Sequence, residues 1–256
     1  MSAAEARPPY YLGIDLGGTN IKSGVVDDVG RPLSAVSVET LAENGPKAGI
    51  ATLARAGRLA VEKSGLSWDQ IKGIGLGSPG TMDLSRGMLL EPPNLPGWNQ
   101  LEIRDLLAAE LQKKTVLQND ANAAAYGEYW AGAGRHERSL VLFTLGTGIG
   151  CGIIDEGRIV EGRHSHGGEC GHIIIQMENA RQCSCGAYGH LEAYASATAL
   201  VKRALEALER EPSGSPLHQI PAEELTSRDI NEAATAGDPL ARRLMRETAR
   251  YLAVGA

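Results

Sequence analysis

The chain has 256 residues, a length that suits one large domain or two ordinary ones, with ample material for a buried core. Apolar residues make up 43% and charged residues 22%, a soluble-globular balance, and the formal net charge of −6 comes without any basic block, which disfavours a nucleic-acid partner. No run of about 18 apolar residues marks a membrane span, and no charged-then-apolar start marks a signal peptide.

Residues 1–9 read as a disordered tail. Residues 10–15 form an apolar run ending in Asp15; Gly17-Gly18-Thr19-Asn20 follows, then a second apolar run over 21–26. That pattern predicts a β-hairpin whose glycine turn exposes backbone N–H groups and a hydroxyl to phosphate oxygens. A carboxylate at Asp15, beside such a cradle, suits Mg²⁺ held directly or through water. A third strand is expected over 32–38, a helix over 47–64 closed by Gly65, and a short buried strand over 71–76 running into Gly77-Ser78-Pro79-Gly80-Thr81. The order of meander, helix and strand describes an α/β domain. The Pro-rich stretch 91–98 presents Asn94 and Trp98 on an irregular surface, a usual place for ligand contacts, though a plain surface loop reads equally well.

A helix over 101–113 and a strand over 115–118 lead to Asn119-Asp120-Ala121-Asn122, and an Ala-rich helix covers 123–133. An acid between strand end and helix start is either an N-cap, worth roughly 1 kcal/mol, or a catalytic acid or ligand. The spacing alone separates neither. Residues 139–145 are strongly β-prone and run into Gly146-Thr147-Gly148-Ile149-Gly150 and a further strand over 151–154, repeating the layout of 14–26. Two Gly/Thr hairpin turns imply an internal duplication able to clamp a nucleotide triphosphate from two sides.

Three of the four cysteines lie between Gly167 and Glu192, with His172, His190, Glu169 and Glu192. Cys183, Cys185, His172 and His190 offer the four ligands of a closed tetrahedral zinc site; the plainer reading makes the cysteines small buried apolar residues and the histidines loop residues. A Cys-x-Cys pair does not suit a secreted disulfide framework, so the cytoplasm is the expected compartment.

The motifs Leu12–Asn20, Asn119–Ala124, Leu145–Cys151-Gly152, Glu169-Cys170-Gly171-His172 and the block from Cys183 to Glu192 together resemble the ROK family of sugar kinases and repressors, within the actin-like ATPase and hexokinase superfamily. The resemblance covers residues 10–256. It implies an α/β actin-like ATPase (ribonuclease H-like) fold with two α/β domains flanking a cleft: a small N-terminal domain over 10–118 and a larger one over 119–256 with a zinc-binding insertion. It also implies ATP-dependent phosphorylation of a hexose, glucose to glucose 6-phosphate first, with Asp120 as general base. Gly17, Gly18, Thr19, Asn20 and Lys22, with Gly146, Thr147 and Gly148, are then the nucleotide-binding residues, with Asp15 near Mg²⁺. Gly80, Thr81, Asn94, Asn119, Glu169, His172 and Glu192 match positions that bind or border the sugar.

The family's zinc block reads Cys-x-Cys-Gly-x-x-Gly-Cys-x-Glu; here His190 replaces the third cysteine, so the expected structural Zn²⁺ ligands are His172, Cys183, Cys185 and His190. N-acylmannosamine or N-acetylglucosamine kinase is the nearest alternative, followed by a non-catalytic sugar-binding regulator. Repressors of the family carry a helix-turn-helix ahead of the first strand, and the nine residues before Tyr10 hold none. The resemblance further implies a homodimer or homotetramer. The family's last strand, glycine turn and helix do not follow Gly255-Ala256, so the second domain reads as incomplete, and weak ATP binding is expected of this chain. A normal ATP affinity would overturn that expectation.

Overall fold

A computed structural model describes residues 6–92, 95–210 and 214–256. The chain divides into two compact units, one reaching Leu140 and adding Gly152–Gly167, the other formed by Val141–Cys151 with Gly168–Ala256.

In the first unit, period-2 alternation in β1 (Tyr10–Leu16) and β2 (Asn20–Val26) buries Leu12, Ile14, Leu16, Ile21 and Val25 on one face. The two strands form the expected antiparallel hairpin. β3 (Val36–Glu39) extends the meander on β2 and is shorter than expected, because Pro32 makes only an isolated bridge to Val26. α1 (Gly45–Ser64) covers the apolar face and ends at Gly65, whose φ of 76° is the left-handed closure that glycine allows. The chain returns as β4 (Ile71–Ser78), parallel to β1, passes a small hairpin of β5 (Thr81–Asp83) and β6 (Met88–Glu91), then α2 (Ile103–Leu111), and pairs β7 (Thr115–Asn119) parallel to β4. The sheet order is β3-β2-β1-β4-β7. α3 (Asp120–Ala131) starts where β7 stops and packs against β7 and β4.

β8 (Ser139–Leu145), β9 (Ile149–Asp155) and β10 (Arg158–Ile159) form a three-stranded sheet in the order β10-β9-β8. In the second unit α4 (Glu192–Ala195) leads into α5 (Ala197–Arg210), and α6 (Ser227–Ala236) and α7 (Pro239–Gly255) complete a helical cluster around Leu200, Ala204, Ile230, Ala241 and Leu244. Thr226 and Asp229 form a capping box on α6, and Gly237 closes it at φ 105°. Arg203 is buried on the inner face of α5, where its guanidinium donates to the Tyr194 and Leu244 carbonyls, to Thr248 Oγ1 and to Glu247.

Of the expected tail, residues 6–9 are described and tied down: the Arg7 N–H donates to Asp27 Oδ2 and the Arg7 carbonyl accepts from the Asp28 N–H. α3 packs on strands of the first sheet, and 152–167 returns to the same unit. Trp98 is no surface group. Its indole is fully buried, with Nε1 donating to the Ala42 carbonyl at 3.4 Å, against the helical Gly49. A Cβ at Gly49 would stand 2.1 Å from that ring. Gly49→Ala is therefore expected to destabilise the chain by about 1–3 kcal/mol through overpacking, read as a lower midpoint in urea.

Candidate active site

In the first unit the site grows from a shared strand register. Asp15 on β1 lies beside Gly77 on β4, and Gly77 beside Gln118 on β7. In paired strands the pleat is common, so these three positions look out on one face, opposite the face that buries Ile14, Leu76 and Leu117. The row sits at the carboxyl ends of parallel strands, where open α/β sheets present functional groups. Gly77 leaves its middle open. A Cβ there would stand 3.9 Å from both Asp15 Oδ1 and the Asp120 Cα. Asp15 and Asp120 are both solvent-exposed. The Asp15 carboxyl is raised above its ordinary value, chiefly because surrounding atoms desolvate it, with Lys22, its cross-strand partner, pulling the other way.

Asp120 is not the helix cap. That role falls to Asn119, whose Oδ1 accepts from the Ala121 and Asn122 N–H groups at 3.0 and 3.2 Å; Asp120 is the first helical residue. The junction is braced by Gln118, which sequence reasoning missed. Its Oε1 accepts from Asn119 N–H at 2.8 Å and Asn122 Nδ2 at 3.3 Å, and its Nε2 donates to Glu161 at 2.9 Å.

The first glycine turn is held by another unforeseen residue. The buried Thr40 donates its hydroxyl to the Gly17 carbonyl at 2.7 Å and its N–H to the Thr19 carbonyl at 2.9 Å. Within the turn Gly17 N–H donates to the Asn20 carbonyl, and a Cβ at Gly17 would meet that oxygen at 2.7 Å. Only glycine allows this approach. Thr19 and Asn20 remain exposed, and Lys22 follows on β2. Gly80 takes φ 88° just beyond β4, and Thr81 opens β5. Asn94 lies outside the described residues.

In the second unit, Gly146, Thr147 and Gly148 form the turn between β8 and β9, closed by Gly146 N–H to the Gly148 carbonyl at 3.0 Å. Glu169 precedes a short 3-10 turn at Cys170–His172 and its side chain is exposed. One ligand atom from each of His172, Cys183, Cys185 and His190 lies within 4.8 Å of the others. The two imidazole Nδ1 atoms stand 3.2 Å apart, Cys185 Sγ is 3.3 Å from His190 Nδ1, and Cys183 Sγ is 3.9 Å from His172 Nδ1. Two thiols and two imidazoles converging in this way offer the donor set of a closed tetrahedral metal site. Cys151 and Cys170 are apart from this set, and of the two Cys151 is the more buried. Burial, with a hydrogen bond to Cys170, pushes its thiol up to about 12, so it stays protonated near neutrality.

Glu192 touches both features. Its Oε2 accepts from Ile149 N–H at 3.0 Å, just after the turn, and its Oε1 accepts from Ser184 Oγ at 2.7 Å. Partial burial would raise its pKa, but hydrogen bonds from Ser184, Ile149 and Cys183 outweigh that and leave the carboxyl below its ordinary value.

Among the described residues no helix is long and apolar enough to cross a membrane. The chain is 38% identical to the glucokinase of Thermotoga maritima over 237 residues, covering 90% of this chain and 71% of that protein. It superposes on the crystal structure of a ROK hexokinase from Thermus thermophilus with TM-score 0.78 at 37% identity, covering 96% of this chain and 76% of the other. A ROK family glucokinase from Streptomyces griseus, solved in complex with glucose and AMPPNP, matches with TM-score 0.79 at 34% identity, over 96% of this chain and 77% of that one. These neighbours carry the α/β actin-like ATPase fold that the motifs imply. With the ROK family matching residues 11–256, the chain belongs to the ROK family.

Proposed function

We propose that the chain is an ATP-dependent sugar kinase that phosphorylates the 6-hydroxyl of glucose, with Asp120 as general base. The observation that carries this reading is the exposed carboxylate of Asp120 on the first turn of α3, set across the open Gly77 position from Asp15. Phosphoryl transfer asks for orientation and charge neutralisation more than for a strong base. A carboxylate that takes the hydroxyl proton as the oxygen attacks the γ-phosphoryl group meets that need. Likeness to glucokinases, one of them solved with glucose and AMPPNP, supports ATP and glucose as the substrates.

In this reading Gly17, Gly18, Thr19, Asn20 and Lys22 on one turn, and Gly146, Thr147 and Gly148 on the other, receive the ATP phosphates through backbone N–H groups and the lysine charge. Asp15 would hold Mg²⁺, directly or through water, and the ion would supply neutralisation of the phosphate charge. Because its pKa lies above the ordinary carboxylate value, Asp15 gains its proton at a higher pH than a free aspartate, and divalent-ion binding there should weaken as pH falls. Asn119, Gly80, Thr81, Asn94, Glu169, His172 and Glu192 border the sugar, where a hydroxyl left unpaired is what rejects the wrong substrate.

The Cys/His cluster is read as a structural zinc site. A tetrahedral ion bonded at about 2.0–2.1 Å to nitrogen and 2.3 Å to sulfur has ligand–ligand edges of about 3.3–3.8 Å. The nitrogen–nitrogen separation of 3.2 Å and nitrogen–sulfur separations of 3.3 and 3.9 Å bracket that range. Both imidazoles turn Nδ1 inward. His172, Cys183, Cys185 and His190 would hold the ion, which would tie His172 to the 183–192 loop.

Coupled ADP release measured with glucose, mannose, fructose, N-acetylglucosamine and N-acetylmannosamine should rank glucose first; absence of turnover with all of them would refute the kinase reading. Asp120→Asn is expected to lower kcat by about 10²–10⁴-fold with the glucose KM little changed. Retained turnover would show another base. Elemental analysis should find about one zinc per chain, lost in His190→Ala. Gln118→Leu, which removes the acceptor shared by Asn119 and Asn122, should lower stability by about 1–3 kcal/mol in a urea titration.

A further inference from the structure

In the unit formed by Val141–Cys151 and Gly168–Ala256, the metal-ligand loop and the second glycine turn share one carboxylate. Ser184 stands between the two cysteine ligands, and its hydroxyl donates to Glu192 Oε1 at 2.7 Å. The other oxygen of the same carboxylate accepts from the Ile149 N–H at 3.0 Å. The turn also rests on that oxygen by contact, since a Cβ at Gly148 would stand 2.3 Å from Glu192 Oε2. At its other end the turn is held by Ala197 N–H donating to the Gly146 carbonyl at 3.0 Å. Segment 192–197 thus grips both ends of the turn, and only the Ile149 end depends on the orientation of a side chain.

A glutamate has three rotatable bonds, and a carboxylate bonded on one oxygen alone can swing. With Ser184 on Oε1 and Ile149 on Oε2, both oxygens are pinned and the carboxylate is fixed as a strut. Cys183 Sγ also approaches Oε1, at 3.5 Å. A cysteine bound to a metal as thiolate has no proton to offer, which leaves Ser184 as the donor on that side.

We propose that Ser184 is a positioning residue for the nucleotide turn: through Glu192 it transmits the geometry of the metal-ligand loop to Gly146–Ile149. The inference rests on the kinase reading for the turn's role. It gives the metal loop a consequence at the ATP phosphates as well as at the sugar.

The test compares the unaltered, zinc-loaded chain with Ser184→Ala and Ser184→Thr, the latter retaining the hydroxyl. Ser184→Ala should raise the KM for ATP about 3- to 10-fold, the range that losing one hydrogen bond allows, with zinc still near one per chain. Hydrogen exchange at the Ile149 amide should accelerate in Ser184→Ala and after zinc is stripped by a chelator. Ser184→Thr should restore both readouts. Unchanged exchange at Ile149, or a rise confined to the glucose KM, would overturn the proposal. Should the unaltered chain turn over no ATP with any sugar, the kinase reading fails, while the exchange comparison still decides whether Ser184 holds the turn.

Discussion

The parallel pairing of β1, β4 and β7 is the constraint on which the first unit depends. Backbone hydrogen bonds lock Asp15, Gly77 and Gln118 into one row. The alternation of each strand then decides which face each residue serves. On one face Leu12, Ile14, Leu16, Ile74, Leu76 and Leu117 are buried and drive the sheet onto α1. On the other, β4 carries Gly73, Gly75 and Gly77, and a Cβ at Gly77 would stand 3.9 Å from the Asp120 Cα, where α3 begins. A register slip of one residue would turn Asp15 into the core and Ile14 outward. The burial of the apolar face therefore fixes the position of a carboxylate that contributes nothing to that burial.

The second unit reaches similar rigidity by polar means. Its segments around Gly146 and from Glu169 to Leu191 are loops and short turns, with little ladder to hold them. The convergent Cys/His set and the Glu192 strut supply the missing constraints, and Arg203 does the same beneath them. A guanidinium with almost no solvent exposure is tolerated because carbonyls, a hydroxyl and Glu247 take its donors and the Tyr251 ring lies 5.2 Å away. Desolvation still pulls its pKa down, with Glu247 opposing. Removing any one partner would leave a buried charge short of bonds, so the network behaves as a unit.

How much of this is legible in the chain alone follows from range. Both hairpins could be read, since alternation and a glycine turn are local signals, and the convergence of His172, Cys183, Cys185 and His190 could be anticipated because few residue types bind soft metal ions. The strand ends followed from apolar runs that stop at an acid or amide. Trp98 was misjudged because what buries it is Gly49, far away in sequence, and no local pattern announces an absent side chain as a socket. α5 was readable and was passed over: Leu200, Ala204 and Leu208 recur at helical spacing, and Arg203 is the one charged residue on that buried face. Thr40 and Gln118 carry no motif; their roles exist only once β3 lies beside the first turn and β7 abuts α3. The return of 152–167 to the first unit is likewise a tertiary fact.

The replacement of the family's third cysteine by His190 has an electrostatic consequence that bears on Glu192. Three thiolates and one imidazole around Zn²⁺ carry a net charge of about −1, whereas two thiolates and two neutral imidazoles carry none. In the proposed zinc site the ion would thus be neutralised by its own ligands, two residues from a carboxylate that stays ionised. An anionic cluster there would push against that carboxylate and against phosphates received by the adjoining turn. A neutral one does neither. The geometric demand of the longer imidazole is met by presenting Nδ1, the ring nitrogen nearer the backbone, toward the site on both His172 and His190. With the nearer nitrogen facing inward, the 183–192 loop accommodates the histidine while Glu192 keeps its two hydrogen bonds, one to the metal loop and one to the turn.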